Sequence, residues 1–481
     1  MSYIFVDTGQ CGNQLGSSIL ESLHQHVQFD HAEMDAFFRT SYSRGEARTY
    51  ARAVCIDTEP KVINECVLRA KERKSWTFDS KSIVYGHGGA GNNWARGYEM
   101  CTGEFLEASL ECIRRELEVC NRPPSLIITH SVAGGTGSGT GTRITESVAD
   151  EFCDVTRMNI AVTPYHFGEV VVQHLNTVLC LAKISAASHG VLSFENEVAK
   201  QLCIEMKGIE RPSMHDINAV IAANILPILL PKYLHDSNVN DVARGSNSQP
   251  GIVSTISDDV GDLCCHPGYR FLSVKNVPQT SRRSVAFTYD SWSSLVETLQ
   301  RMDNAGSSSE KGAGSAQVSF ASSRRLSSDV NFCQSSSPAK SENVVPVSGC
   351  RSLKSILTVR GPDAASGLKA MFDARVAFNS TTIPPRRGES SAAPPPSTMF
   401  DGRNCQMHYS NRSVNGYQRS AVLLSNSQAI LPILQRAGMK GAEMYRAGAY
   451  VHQYKSCGLE DEDFVRAFRT VGQVIENYRS L

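Results

Sequence analysis

The chain has 481 residues with 48 basic and 48 acidic side chains, so it has no basic excess with which to neutralise a nucleic-acid backbone. Hydrophobic residues make up 41% and charged residues 20%, a balance that suits a globular protein able to bury a large core without disulfide or metal support. No uninterrupted apolar run is long enough to cross a bilayer.

The first element in chain order is a short apolar strand, Tyr3 to Val6, followed by turns at Gly9 and Gly12 and a helix with Leu15, Ile19, Leu20 and Leu23 on one face. The same grammar recurs at 125–152, where LIIT reads as a buried strand, AGGTGSGTG as a loop and RITESVADEF as an amphipathic helix. Alternation of this kind predicts an α/β fold with a parallel sheet wrapped by helices. An apolar helix is expected from Asp216 to Leu226, stopped by the prolines of PILLPKY.

Beyond Asp258, RFLSVKNV, SRRSVAFTYD and KSILTVRG alternate like strands, with SLVETLQRM as a helix among them, which predicts a second, mixed α/β domain. A Ser-rich stretch at about 304–349 and a Pro/Ser/Ala stretch at 383–398 read as insertions. The segment from Ser427 to Leu481 carries Phe464, Val465, Phe468, Val471, Val474 and Ile475 at helical spacing and reads as a hairpin of two helices on the outside. The fifteen cysteines are scattered without zinc-ligand spacing, and the N-terminus shows no basic-then-apolar leader, so reduced thiols in the cytoplasm are expected. Cys264, Cys265 and His266 are contiguous, and neighbours in sequence rarely point at one ion.

The chemistry concentrates in glycine-rich turns. Gly134, Gly135, Thr136, Gly137 and the glycines after them lie between a strand and a helix, where small residues admit an anion and the helix N-terminus offers amides and positive dipole. No Gly-Lys-Ser/Thr follows, and no dinucleotide fingerprint can be read there. A second turn, GQCGNQ, presents Gln10 and Cys11, and a third, HGGAGNNWARG, presents Ala90, Asn92 and Asn93. Three such loops on successive strand ends converge on one edge of a parallel sheet, where these sheets bind ligands. A metabolic enzyme with a cysteine nucleophile is the competing reading, but no base stands at a recognisable spacing from Cys11.

GQCGNQ, AGNNWARG and GGTGSG, in this order and spacing, resemble the tubulin family over nearly the whole chain, and ARAVCIDTEPKVIN, SAVLLSNSQ and AYVHQYKSCGLEDEDF are most similar to its delta branch. The resemblance implies a nucleotide-binding α/β domain over 1–205, a connecting core helix region at 206–234, an intermediate α/β domain at 235–400 and C-terminal helices at 401–481. It also implies GTP or GDP as ligand: Gln10, Cys11 and Ser131 lining the nucleotide, Gly134, Gly135, Thr136 and Gly137 on the phosphates, and Ala90 and Asn92 at the γ-phosphate. Asn196, Asn218 and Asn176 would serve base and ribose, while Asp57 and Glu59 match an acidic pair beside Mg²⁺.

Two positions depart from the pattern. Met214 stands where an aromatic usually stacks on the purine, and Asp258 stands where a longer glutamate reaches the next subunit's GTP, with Asp259 adjacent. The Ser-rich stretch falls about where the family places its lateral-contact loop, and no acidic tail follows the final helix. The implied function is GTP-dependent assembly or upkeep of centriole and basal-body triplet microtubules, with other tubulins as longitudinal partners, in the cytoplasm and cytoskeleton, without nucleic acid or membrane. The alternative is an adaptor or cap at the centriole that holds GTP without hydrolysing it.

Overall fold

The computed structural model describes residues 1–28, 30–43, 46–165, 170–235, 253–281, 291–310, 350–368 and 405–481. The first strands in chain order are β1 (Ser2–Thr8), the hairpin β2 (Phe38–Ser43) and β3 (Glu46–Ala51), β4 (Ala53–Asp57), β5 (Ile83–Tyr85), β6 (Pro124–Ser131), β7 (Thr156–Thr163) and β8 (Gly190–Glu195). All but the hairpin join one parallel sheet in the order β8-β7-β6-β1-β4-β5. All seven residues of β1 are buried, because helices cover both faces of this sheet and its central strands need apolar side chains on both.

The covering helices are α1 (Gly9–Val27), α2 (His31–Phe37), α3 (Pro60–Arg73), α4 (Trp94–Met100), α5 (Gly103–Glu118), α6 (Gly141–Glu151), α7 (Gln173–Ala187) and α8 (Asn196–Lys207). Phe5 of β1 packs into the cluster that includes α1, while Ile4 and Val6 point the other way, into the cluster with Ile113 of α5 and Ile144 of α6. Each fully buried side chain of this size contributes roughly 1.5–3 kcal/mol relative to exposure.

Helix α9 (Met214–Leu229) follows, started by a reciprocal cap between Ser213 and Asp216. It buries Ile217, Val220, Ile221, Ile225, Leu226, Ile228 and Leu229, and an apolar surface on nearly all sides is what makes it a core element. The helix extends past the expected end at Leu226 and takes Pro227 into its last turn. Asn415 explains why this is tolerated: its Nδ2 donates at 2.8 Å to the Ala223 carbonyl that the missing proline amide leaves open, while the Arg360 guanidinium donates to the carbonyls of Pro227 (2.8 Å), Leu230 (2.6 Å) and Pro231 (3.1 Å) at the helix end.

The later elements are β9 (Lys232–Leu234), β10 (Val253–Ser254), α10 (Ile256–Leu263), β11 (Phe271–Val277), α11 (Trp292–Asn304), β12 (Ser352–Arg360), β13 (Cys405–Ser410), β14 (Ser420–Ser427), α12 (Leu431–Arg446), α13 (Val451–Lys455) and α14 (Asp461–Arg479). β11 pairs in parallel with β8 through Phe271 and Leu272 and antiparallel with β14, so the second sheet continues the first and the order runs β10-β9-β13-β12-β14-β11-β8. The expected boundary at 400 is therefore corrected. Residues 405–410 and 420–427 belong to the second sheet, and every residue of β14 is buried between its neighbours β11 and β12, so the helical segment begins only at Leu431. The expected strand SRRSVAFTYD lies almost wholly outside the described residues, as do 311–349 of the Ser-rich stretch and all of the Pro-rich stretch.

The expected two C-terminal helices are present with the short α13 between them, and α12 and α14 share an apolar cluster with Leu175, Val178 and Leu179 of α7. The hydroxyl of Tyr478 accepts from Phe271 N–H (3.0 Å) and lies 2.7 Å from Asn426 Oδ1, which fastens α14 to β11 and β14.

Candidate functional site

The ends of β1, β4, β5 and β6 release four turns at the same edge of the sheet, and backbone approach shows how tightly they meet. Gly9 ends β1 at φ +73°, and a Cβ there would lie 2.7 Å from the Gly137 amide nitrogen; at Gly135 a Cβ would lie 2.7 Å from Ala90 Cβ and 2.8 Å from Asn93 N. Only glycine fits either place, so the turns carrying Gln10 and Cys11, Ala90 and Asn92, and Gly134 to Gly137 touch one another. Asn13 donates to Gly9 O (2.9 Å) and Ile56 O (3.1 Å), tying α1 to the end of β4. Beyond the third turn, Gly141 N–H reaches back to Thr136 O, a wide turn that leads directly into α6.

Asp57 and Glu59 follow β4 and join this cluster. The Thr58 hydroxyl between them lies 2.6 Å from the Thr136 hydroxyl, and the Glu59 carboxylate rests against Gly89. Asp57 accepts from Thr58 N–H at 2.8 Å, and burial pushes its carboxyl up to about 6 against that bond. A cation beside it would relieve that cost, and Asp57 and Glu59 so placed next to a phosphate-sized turn fit Mg²⁺ held chiefly by the phosphates and water. Among the described residues no three His, Cys, Asp or Glu side chains gather to hold a metal ion by themselves, Cys264, Cys265 and His266 included.

The loop between β5 and α4 carries two successive positive-φ residues, Gly91 at +56° and Asn92 at +55°. Asn93 then caps α4, accepting from Ala95 N (2.8 Å) and Arg96 N (3.2 Å). Ser131 ends β6 and its hydroxyl accepts from Ala133 N (3.2 Å). Behind this turn His130 is wholly buried, receives the Asn159 amide on Nε2 at 3.0 Å, and is pulled down to about 4 by burial, so it is a neutral structural group.

Asn176, expected near the sugar, is put to other use. Its Nδ2 donates to Asn92 O (2.7 Å) and Ala133 O (2.7 Å), and its Oδ1 accepts from Trp94 N–H (2.9 Å) and the Tyr454 hydroxyl (2.6 Å). Fully buried with both amide protons and both lone pairs used, it has no bonding capacity left for a ligand and serves as the brace between two turns. Asn13, Thr58 and Tyr454 carry no individual signal in the sequence, although each lies inside a motif, GQCGNQ, DTEP and AYVHQYKSCGLEDEDF respectively.

At the far end of the same edge, Asn196 opens α8, is 6% exposed, and its Oδ1 is buried without a hydrogen-bond partner among the described residues. Asn218 is buried on α9 one turn after Met214, which is 38% exposed. An orphaned acceptor and a second amide at the C-terminal ends of the strands fit a purine edge, which presents donors and acceptors side by side.

Asp258 lies at the opposite end of the parallel strands. Ile256 N–H donates to the Tyr3 hydroxyl (3.4 Å) and Ser257 bonds Thr156 (2.7 Å), so α10 packs where β1 and β7 begin, whereas the turns lie where the strands end. Seven residues of β1 separate the two places by about 20 Å. Asp258 is exposed and its carboxylate accepts from the Thr255 hydroxyl (2.6 Å), closing the cap of α10. Asp259 is buried in an ion pair with Lys232 and accepts from Ser254 (3.0 Å), so only Asp258 of this pair can face another molecule.

A parallel sheet with glycine turns at its carboxyl edge, joined through β11 to a mixed second sheet, is the architecture of a phosphate-ligand-binding α/β protein, and residues 2–204 match the Tubulin/FtsZ family, GTPase domain. The chain is thus similar to the tubulin family across this segment. Over their whole lengths, the chain and the tubulin delta chain of Homo sapiens are 28% identical across 500 residues, and the tubulin delta chain of Mus musculus is 29% identical across 498. The tubulin beta-1 chain of Hypocrea rufa is 22% identical over 493 residues, covering 99% of this chain and 94% of that one.

Proposed function

We propose that the chain is a GTP-binding tubulin of the delta type that associates head to tail with other tubulins and acts in building or maintaining centriole and basal-body triplet microtubules, and so in ciliogenesis. One observation carries the reading: the glycine turns gather at one end of the parallel strands while Asp258 stands exposed at the other. A chain built this way cannot bring its own Asp258 to its own nucleotide. It can present that carboxylate to the site of the next subunit, and a heterologous contact of this type repeats along an axis.

In this assignment Gly134, Gly135, Thr136 and Gly137 cradle the phosphates with backbone amides, Gln10, Cys11 and Ser131 line the nucleotide, and Ala90 and Asn92 bound the terminal phosphate. Asn196 and Asn218 read the base. Asp57 and Glu59 would hold Mg²⁺, which would supply charge neutralisation at the phosphates. Asp258 orients the attacking water at the neighbour's site, so the chain is a GTPase only in an assembly.

The test is thermal unfolding with GTP, GDP and ATP, with and without Mg²⁺, together with steady-state turnover against protein concentration. Stabilisation by guanine nucleotides beyond that by ATP, enhanced by Mg²⁺, is expected from selective binding to the folded chain. Turnover per chain should rise with concentration. Binding of GTP with no turnover at any concentration, alone or with other tubulins, would favour the adaptor reading, and equal shifts from ATP and GTP would remove the assignment of Asn196 and Asn218.

A further inference from the structure

The base end of the site lacks an aromatic at position 214, yet one stands beside it. Tyr165 lies two residues past the end of β7, and its hydroxyl lies 4.0 Å from the sulfur of Met214 while the Lys200 ammonium sits 5.6 Å from its ring centroid. Both neighbours share a helix face with one of the two asparagines. Met214 and Asn218 are four residues apart on α9, and Asn196 and Lys200 are four residues apart on α8, spacings that place side chains one above the other. Tyr165 therefore stands between the two helices that carry the two amides. Its backbone is anchored as well, since Gln173 Nε2 donates to Tyr165 O at 3.1 Å. Thr163, two residues earlier, donates to Phe194 O (3.1 Å), which fixes the exit of β7 against the strand that leads into Asn196.

The geometry points to Tyr165 as the side chain that stacks on the nucleobase, with Lys200 enriching the interaction from the ring's side and Met214 as a soft wall. This deepens the nucleotide assignment above and rests on it. Purines bind selectively when their edge is read by amides and their face is covered by a planar group. The amides and the ring here come from three different places, the segment after β7, α8 and α9, so only the folded chain assembles them. Tyr165 is a binding and specificity residue, remote from the phosphates where any chemistry takes place.

The experiment measures dissociation constants of the full chain for GTP and for inorganic tripolyphosphate, in wild type, Tyr165→Leu and Tyr165→Phe. Loss of a stacked ring should weaken GTP about 5- to 150-fold in Tyr165→Leu and leave tripolyphosphate unchanged, because the latter has no base. Tyr165→Phe keeps the ring and should stay within about twofold of wild type. GTP binding by Tyr165→Leu equal to wild type overturns the proposal, as does an equal loss for tripolyphosphate, which would mark a role in holding the loop. A wild type that binds tripolyphosphate but shows no preference for GTP over it overturns the nucleobase site itself, an outcome separate from a failure of Tyr165 alone.

Discussion

Replacing Asn176 by alanine tests the brace between the phosphate-facing turns. The side chain is fully buried and holds four groups, at 2.7 Å to Asn92 O, 2.7 Å to Ala133 O, 2.9 Å from Trp94 N and 2.6 Å from Tyr454. Each buried group left without a partner costs about 1–3 kcal/mol. A water entering the vacated space can restore part of this, since it can satisfy two to four polar groups at once. The net expectation is a loss of about 3–6 kcal/mol in unfolding free energy, read as a lower denaturant midpoint at unchanged slope. Because two of the released carbonyls belong to the loops that converge on the phosphates, the folded variant should also bind GTP at least about tenfold more weakly. Asn176→Asp separates the contributions: it keeps the shape and the acceptor side but turns a carboxylate oxygen toward two carbonyls, so it should be at least as damaging as alanine. Unfolding within about 1 kcal/mol of wild type in both variants, with unchanged GTP affinity, would refute the reasoning.

Gly135→Ala places a methyl 2.7 Å from Ala90 Cβ and 2.8 Å from Asn93 N, so the two loops separate at a cost of about 1–3 kcal/mol; titration with GTP should show the weakening, whereas Gly208→Ala, with nothing within 4 Å of its Cβ but a φ of +67°, should leave GTP affinity unchanged. His130 is held near a pKa of about 4, against about 6.5 unfolded. The unfolded chain takes up a proton in this window that the native chain refuses, so stability falls by about 3 kcal/mol as pH drops from 6.5 to 4, and His130→Gln should flatten that part of the pH profile. Lys232→Met leaves the Asp259 carboxylate buried without its cation and should cost about 3–5 kcal/mol in chemical unfolding, with Lys232→Met/Asp259→Leu recovering most of it. Asp258→Asn should leave GTP affinity of the isolated chain intact and remove the rise of turnover with concentration, since this side chain lies at the opposite strand end from the chain's own glycine turns.

The sequence by itself determined the parts whose cause is local. A buried strand, a glycine turn and an amphipathic helix repeat in GQCGNQ and AGGTGSGTG because each needs only its own residues, and from this repetition the parallel sheet and the edge that carries the site could be read. The acidic Asp57–Glu59 pair stood out only through the resemblance carried by DTEP, because two carboxylates after a strand look the same in any acidic loop. What only the tertiary structure decided is the use of side chains whose partners are distant in sequence. Asn176 looks like any helical asparagine until Asn92, Ala133 and Tyr454 close around it. Pro227 reads as a helix stop until Asn415, distant in sequence, donates to the Ala223 carbonyl that the proline leaves without its amide. Asp258 and Asp259 are indistinguishable as neighbours, and burial against Lys232 on one side of the helix leaves the first as the only one that faces outward. Hydrogen-bond satisfaction and burial are properties of what surrounds a group in space, and sequence spacing carries them only when the surroundings are its own neighbours.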